Sequence, residues 1–245
     1  AARGGAARTL ALLAARAEAR GWAATYHWPR LLALAVARGS ARCVRAALDG
    51  GADPNVAAID ALPPLHAAAS RGDDALCGLL LDRGARADRV VEMTAAAAGD
   101  VSPARVAAVD AAWAAPGALE AGPARACAGD ALEWTAGGLA ALRGFPECAA
   151  RLCAACRAGS RLGGPRGVSP FVACVLGGHD VARLGDALAA WPRVAARATA
   201  ARAADAADAE CFGARPLLLA AALGDAASVR KAGGGGKRLL THDSG

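Results

Sequence analysis

The stretch PPLHAAASRGD at residues 63–73, followed by LLLDRGA at residues 79–85, decides the fold of this chain. A proline at the first helical position, a run of alanines and then Gly72 indicate a short helix with a glycine stop. The three leucines and Gly84 indicate a second short helix and a second stop. Two such short helices cannot bury a core alone, so neighbouring copies of the unit must cover them.

Imperfect copies of this pattern recur along the chain. Residues 31–39 read LLALAVARG, and the unit that they open ends in GADPN at residues 51–55. The glycine between the two predicted helices moves from Gly39 to Gly72 and later from Gly144 to Gly178. Both steps are close to the period of about 33 residues that is a signature of a repeat architecture.

The pattern resembles the ankyrin repeat, whose consensus runs T-P-L-H-x-A-A-x-x-G and then L-L-x-x-G-A. Pro63 stands where the family has Thr. The resemblance extends from about Trp28 to Lys231 and implies an all-α fold, an ankyrin-repeat solenoid of about six helix-turn-helix repeats with an N-terminal capping helix. The residues that carry the repeat motif are Pro64, Leu65, His66, Gly72, Gly51, Asp53, Asn55, Pro170, Gly178 and His179.

The resemblance divides the chain into three parts. Residues 1–28 are expected to form a capping helix, from an N-cap at Thr9 to about Arg20, and an aromatic cap. Residues 29–231 form the solenoid, with a degenerate third repeat and an extra helix at about 193–210. Residues 232–245 are expected to form a flexible, glycine-rich tail.

The third repeat is the least regular part of the predicted solenoid. Residues 92–98 are expected to form its inner helix, and Ser102-Pro103 to start an outer helix that ends near Trp113. The interval from Gly72 to Gly144 leaves room for two repeats and a few inserted residues.

His66 is the residue of the motif with the clearest chemical alternatives. The resemblance implies that its imidazole bridges backbone groups of neighbouring loops. A catalytic or metal-binding histidine is the alternative, but no second ligand stands at a suitable spacing. We therefore expect a structural role.

Charge and hydropathy argue against two classes of partner. The net charge is +6, but the arginines are dispersed among acids with no basic run, so nucleic acid is not an expected partner. No stretch is long and apolar enough for a spanning helix. The first residue is not Met, so we expect a processed or partial product.

Cysteine usage points to an intracellular, reducing compartment rather than secretion, either cytoplasmic or organellar, with a plastid or a mitochondrion included. Cys153-x-x-Cys156 with Cys148 nearby has the spacing of a zinc or redox site. No second CxxC follows, and the repeat register places Cys148 and Cys153 on an outer helix, where small apolar residues pack. Packing thiols without a metal are the expected outcome, and a zinc or redox protein is the alternative.

No pattern of an enzyme is present in the sequence. The glycine-rich stretch at residues 163–167 lacks the GK[ST] ending of a phosphate-binding loop, and a loop between repeats is the better interpretation. We expect no catalysis and no cofactor.

The resemblance implies a binding surface formed by the inner helices and the loops between repeats. The residue before the inter-helix glycine faces this groove in the family, which predicts a groove that is basic toward the N-terminal half and apolar toward the C-terminal end. Such a groove would suit an acidic protein segment. Ordinary solvated arginines are the alternative. The predicted partner-binding residues are Arg38, Arg71, Arg143, Ile59, Asp60, Arg166 and Leu223.

The function expected from these features is protein binding. A scaffold or accessory subunit of a larger hetero-complex, in contact with other protein subunits, agrees best with the irregular insertions and the aromatic cap. The alternative is a free ankyrin adaptor that recruits target proteins reversibly. The identity of the partner, the compartment and the stoichiometry do not follow from the sequence.

Overall fold

A computed structural model describes residues 24–59, 61–93, 132–157 and 170–191, together with Thr9 and Leu12. This part of the chain is mostly helical, as the sequence predicts. Its elements are α1 Ala24–Ala37, α2 Ala41–Asp49, α3 Pro64–Ser70, α4 Asp74–Asp82, β1 Val90–Met93, β2 Leu132–Thr135, α5 Ala136–Leu142, α6 Pro146–Ala155, α7 Pro170–Gly177 and α8 Val181–Ala189.

These helices form consecutive pairs, α1 with α2 through α7 with α8, and a short turn joins the two members of each pair. A glycine with positive φ lies in every such turn, and side chains cap several of the helices that follow. At the N-terminus of α4, for example, the Asp73 carboxylate accepts a hydrogen bond from the Leu76 backbone NH at 3.0 Å. The turn glycines are Gly39, Gly72, Gly144 and Gly178.

The helix pairs stack side by side in two layers. In one layer α1 packs against α3, α3 against α5, and α5 against α7. In the other, α2 packs against α4, α4 against α6, and α6 against α8. Because the pairs are covered by their neighbours in the stack, burial at the junctions between pairs carries much of the stability.

The core runs along the interface between the two layers. Helix α5 lies at its centre, and every residue of that helix is buried. The largest fully buried side chains are Trp134, Leu32, Leu76, Leu80, Leu139, Leu152, Leu176, Leu184, His66, Val36 and Val44.

The junction between the second and third helix pairs overturns one prediction. A further pair was expected between α4 and α5, but α3 packs directly on α5 and α4 directly on α6. The expected inner helix over 92–98 is also wrong at its start, because Glu92 and Met93 lie in β1. The β-branched Val90 and Val91 favour a strand there, and pairing with β2 supplies its backbone hydrogen bonds.

Strands β1 and β2 pair in antiparallel register, with Val90 opposite Thr135 and Met93 opposite Leu132. Met93 and Leu132, which border the undescribed range 94–131, therefore lie side by side. The predicted outer helix from Ser102-Pro103 to Trp113 lies outside the described residues.

Several other predictions fall on residues that the structure does not describe. Of the predicted capping helix it describes Thr9 and Leu12, and both are helical. The extra helix at 193–210, the last repeat with Leu223, the tail, Asp60 and Arg166 all lie outside the described ranges.

Candidate partner-binding surface

Helix α1 presents an apolar and basic face to solvent. One side of the helix buries Trp28, Leu32 and Val36 at helical spacing. The opposite side places Arg30, Leu34 and Arg38 one helical turn apart, all exposed. Leu34 is 55% exposed between two guanidinium groups.

The arginines predicted to line the groove stand at equivalent places in three helix pairs. Arg38 follows α1 directly, while Arg71 and Arg143 are the C-cap residues of α3 and α5. All three are exposed. A positive charge at a helix C-terminus also offsets the negative end of the helix dipole, so each arginine has a structural use besides any role in binding.

The turns that carry these arginines contact one another along one edge of the stack. An added Cβ on Gly72 would lie 2.2 Å from the Phe145 ring, and one on Gly144 would lie 2.5 Å from the His179 ring. Each of these turns thus packs closely against the next. The arginines that the turns carry, Arg38, Arg71 and Arg143, therefore lie along the same edge of the stack.

The Arg71 side chain forms a hydrogen bond within the helical stack. Its Nη1 donates a hydrogen bond to the carbonyl oxygen of Ala37, at the C-terminus of α1. That carbonyl has no partner inside its own helix, so the contact satisfies it and joins α1 to α3. Among the described residues, Arg38 has neither an ion pair nor a side-chain hydrogen bond, which makes it the arginine of the row best placed to meet a partner.

The loops on the other edge of the stack are linked through Asn55. Its Nδ2 donates to the Gly84 carbonyl at 3.0 Å, and its Oδ1 accepts from the Arg86 backbone NH at 2.8 Å. The Arg89 guanidinium donates to the Asn55 carbonyl. The Asn55 backbone NH donates in turn to the Asp53 carboxylate at 2.8 Å.

Two apolar side chains in the loop that begins at Asn55 are exposed to solvent. Ile59, predicted to touch a partner, is 74% exposed, and Val56 is also exposed. Single exposed apolar residues are common on protein surfaces. The hydrogen bonds of Asn55 to residues 84 and 86 hold the start of the loop that carries them.

His66 is buried between two helix pairs and is 1% exposed. Its Nε2 donates to the Trp134 carbonyl in β2, with 3.2 Å between the two atoms. Burial lowers the pKa of His66 to about 4; the nearby Arg89 charge acts in the same direction and the backbone hydrogen bonds oppose it. The ring is therefore neutral near pH 7 and links α3 to the strand before α5.

The remaining motif residues lie at helix ends and turns. Pro64 and Leu65 are buried in the first turn of α3, and Pro170 is buried at the first position of α7. Gly51 has a φ of 95° directly after the turn that ends α2. His179 follows the turn glycine Gly178.

The cysteines of α6 are buried, as the repeat register predicts. Cys148 and Cys153 lie within the helix, and Cys156 is its C-cap residue. In the described ranges, no cysteine is part of a disulfide bond. The Cys148 Sγ lies 3.2 Å from the Sγ of Cys77 on α4, a neighbour that the CxxC spacing does not indicate.

One small cavity lies between the third and fourth helix pairs. It measures about 90 Å³ and is lined in part by Gly144, Cys174, His179, Asp180 and Arg183. Pockets for small-molecule ligands are usually about 300 Å³ or larger, so this space suits a few waters better than a substrate.

Two further observations concern metals and membranes. Among the described residues, no three His, Cys, Asp or Glu side chains lie together in a way that could hold a metal ion. In the same part of the chain, every helix is too short or too polar to cross a bilayer.

Sequence reasoning missed four of these features. Leu34 could have been found, since it lies one helical turn before Arg38 on the same face. The step from Cys77 to Cys148 nearly equals the step from Gly72 to Gly144, which indicates equivalent places in their helix pairs but not that the two pairs are neighbours. The hydrogen bond of Arg71 to the Ala37 carbonyl has no comparable sequence signal. The same holds for the ion pair of Arg151 on α6 with Asp74 on α4, in which Nε and Oδ1 lie 2.6 Å apart.

No protein-family model matches this chain, and no curated protein matches it.

Proposed function

We propose that this chain is an ankyrin-repeat protein without catalytic activity, and that it binds other proteins as a scaffold or accessory subunit of a larger assembly. The family assignment is supported by the motif residues quoted above and by turn glycines that recur after 33 residues from Gly39 to Gly72 and after 34 from Gly144 to Gly178. Repeat stacks of this kind offer one continuous face to a partner.

The observation that carries the binding proposal is the exposed side of α1. Leu34 is an anchor that a partner can bury, and the Arg30 and Arg38 guanidinium groups flank it. Arginine is enriched among the residues that contribute most to binding energy. Arginine also binds carboxylates through two parallel hydrogen bonds. The partner we propose is therefore an acidic protein segment with an apolar side chain.

The loop at Ile59 extends the same proposal. Because the hydrogen bonds of Asn55 hold the start of this loop, Ile59 can contact a partner at a reduced entropy cost of ordering the loop. Arg71 contributes less in this scheme, because its guanidinium is bonded to the Ala37 carbonyl. Asp60, Arg166 and Leu223 stay predicted contact residues.

The experiment is a native pull-down of the tagged chain from its source organism, followed by size fractionation. The test variant is Arg30→Glu with Arg38→Glu, which reverses charge on both sides of Leu34. The matched control is Arg42→Glu with Arg45→Glu, which makes the same change in net charge at exposed positions of α2. We expect the test variant to lose most of its partner at unchanged helicity, and the control to retain it.

Equal retention by both variants would remove the α1 surface from the proposal. Constant stoichiometry in one large complex supports the scaffold. A chain that runs mostly near its own 24.1 kDa, with partners that dissociate in salt, would support the reversible adaptor instead.

A further inference from the structure

Two buried thiols face each other where the second and third helix pairs meet. Cys77 on α4 and Cys148 on α6 bring their Sγ atoms to 3.2 Å and share a hydrogen bond. Both side chains are buried. The sulfurs of a disulfide are about 2.05 Å apart, so the two Sγ atoms stand roughly 1 Å beyond bonding distance.

The packing of the two helices holds the thiols in this position. Asp74, one helical turn before Cys77, is bound through both carboxylate oxygens by Arg151, one helical turn after Cys148. Gly78 lies next to Cys77, and an added Cβ there would be 3.7 Å from the Arg151 guanidinium. That distance is an ordinary van der Waals contact, so the two helices meet directly beside the sulfurs.

We propose that Cys77 and Cys148 form a disulfide that joins α4 to α6 when the protein meets a small-molecule disulfide such as oxidised glutathione. In the first step the thiolate of one cysteine attacks a sulfur of the reagent and displaces one small thiolate. In the second step the other cysteine attacks the protein-bound sulfur of this mixed disulfide and displaces the second small thiolate. The protein loses two electrons and two protons, and the reagent gains both as two thiols.

The environment of the thiols makes this reaction slow. The hydrogen bond to Cys148, burial, and then the nearby Asp74 and Asp73 carboxylates raise the pKa of the Cys77 thiol. Since the thiolate is the attacking species, exchange requires the α4–α6 junction to open locally. The same burial shields the disulfide from reductants once it has formed.

The disulfide would stabilise the junction between α4 and α6 as a whole. A bond between residues 77 and 148 closes a covalent loop that includes β1, residues 94–131 and β2. Closing a loop of this length restricts the unfolded chain strongly. The oxidised protein should therefore melt roughly 5–15 °C above the reduced protein.

The sequence allows an unambiguous test. The intact chain is incubated with oxidised glutathione for hours, remaining thiols are alkylated, and the protein is digested with trypsin without reductant. Cleavage after arginine places Cys77 alone in peptide 72–83 and Cys148 alone in peptide 144–151, while Cys153 and Cys156 share peptide 152–157. We expect a joined 72–83/144–151 species that dithiothreitol separates.

Variants give the second readout. Cys77→Ala should abolish both the joined species and the rise in melting temperature, whereas Cys43→Ala, at a half-buried thiol on α2, should retain both. Recovery of both peptides in separately alkylated form, while Cys43 carries glutathione, would overturn the proposal. A joined species that forms only in urea would overturn it as well. Should Cys77→Ala not fold, the peptide map of the unaltered chain decides by itself.

Discussion

The Arg151 guanidinium on α6 donates two hydrogen bonds to the Asp74 carboxylate at the start of α4, through Nε at 2.6 Å and Nη2 at 2.7 Å. Arg151 and Asp74 are far apart in the sequence, so this ion pair joins two helix pairs that are distant along the chain. Asp74 also lies at the positive end of the α4 dipole, which favours its negative charge.

Breaking this ion pair should weaken the junction modestly. Both side chains are about 40% exposed, and ion pairs at such positions contribute about 0.5–1 kcal/mol. We expect Arg151→Met to lower the free energy of unfolding by about that amount in urea titrations. A double-mutant cycle with Asp74→Asn should give a coupling energy of the same size, and additive single effects would contradict the prediction.

Arg86→Met is the control for this prediction. Arg86 contacts Asp88 through one hydrogen bond at 3.3 Å, only two positions along the chain, and therefore joins no separate elements. We expect a change in stability within about 0.5 kcal/mol.

His66 should make stability depend on pH. The unfolded chain binds a proton at this residue near pH 6.5, whereas the folded chain does so near pH 4. Between these values the unfolded state holds more protons, so the free energy of unfolding falls as the pH decreases from 6.5 to 4. We expect a loss of about 2 kcal/mol from this residue between pH 7 and pH 5.

The measurement is urea unfolding at both pH values, for the unaltered chain and for His66→Gln. The variant keeps a side-chain donor for the Trp134 carbonyl but does not titrate. Its stability should be lower at pH 7 and should change less between the two pH values. A pH dependence equal to that of the unaltered chain would show that other groups cause it.

The turn at Gly72 should be intolerant of a side chain for two reasons, which a pair of variants can separate. Gly72 has a φ of 68° and an added Cβ would overlap the Phe145 ring, whereas Gly84 has a φ of 86° and open space around it. We expect Gly84→Ala to cost about 1 kcal/mol for the left-handed backbone, and Gly72→Ala about 2 kcal/mol more.

Thermal unfolding of both variants measures the difference. In a Phe145→Ala background the overlap is removed, so the cost of Gly72→Ala should fall to that of Gly84→Ala. A Gly72→Ala cost that does not change in this background would mean that backbone conformation alone is responsible.

Gly177 should be essential for the contact between α5 and α7. A Cβ at this position would lie 1.9 Å from the Leu142 carbonyl oxygen, and a backbone atom cannot turn aside. We expect Gly177→Ala to cost about 3 kcal/mol. Gly185→Ala in α8 is the control, because nothing lies within 4 Å of its added Cβ. This change should be neutral or stabilise the helix by up to about 1 kcal/mol.

Equal effects of the two glycine variants on urea unfolding would contradict the close approach of α7 to α5. The result also explains where the row of exposed arginines ends. Gly177 occupies the place before the turn glycine where the earlier helix pairs have arginine. Packing against Leu142 explains why no long side chain stands there.

The local structure could be predicted well from the sequence, because the signals for helix starts and turns act over a few residues. Proline at the start of α3, glycine in the turn at Gly72 and the leucine- and alanine-rich run at residues 31–37 all act within a few residues. The same holds for the burial of Cys148 and Cys153, which follows from their place on the inner side of α6.

The order of the helix pairs in the stack could not be predicted, because the number of residues between two motifs does not show which helices pack together. The interval from Gly72 to Gly144 was long enough for another helix pair, and the sequence does not state that α3 would pack on α5 instead. Val90 and Val91 were a signal for a strand, but its partner β2 comes only after the whole of residues 94–131. Contacts of single side chains, such as Arg71 with the Ala37 carbonyl, depend on that order and were equally out of reach.

The pairing of Met93 with Leu132 has a consequence for how the chain can vary in length. The two residues that border the range 94–131 are held side by side by the strand ladder. The entropic cost of bringing the ends of a connection together rises only with the logarithm of its length, by about 0.6 kcal/mol for each doubling. A change in the number of residues between the two strands should therefore alter the stability of the junction of α3 with α5 only a little, because the ladder and not the length of the connection fixes where the two helix pairs meet.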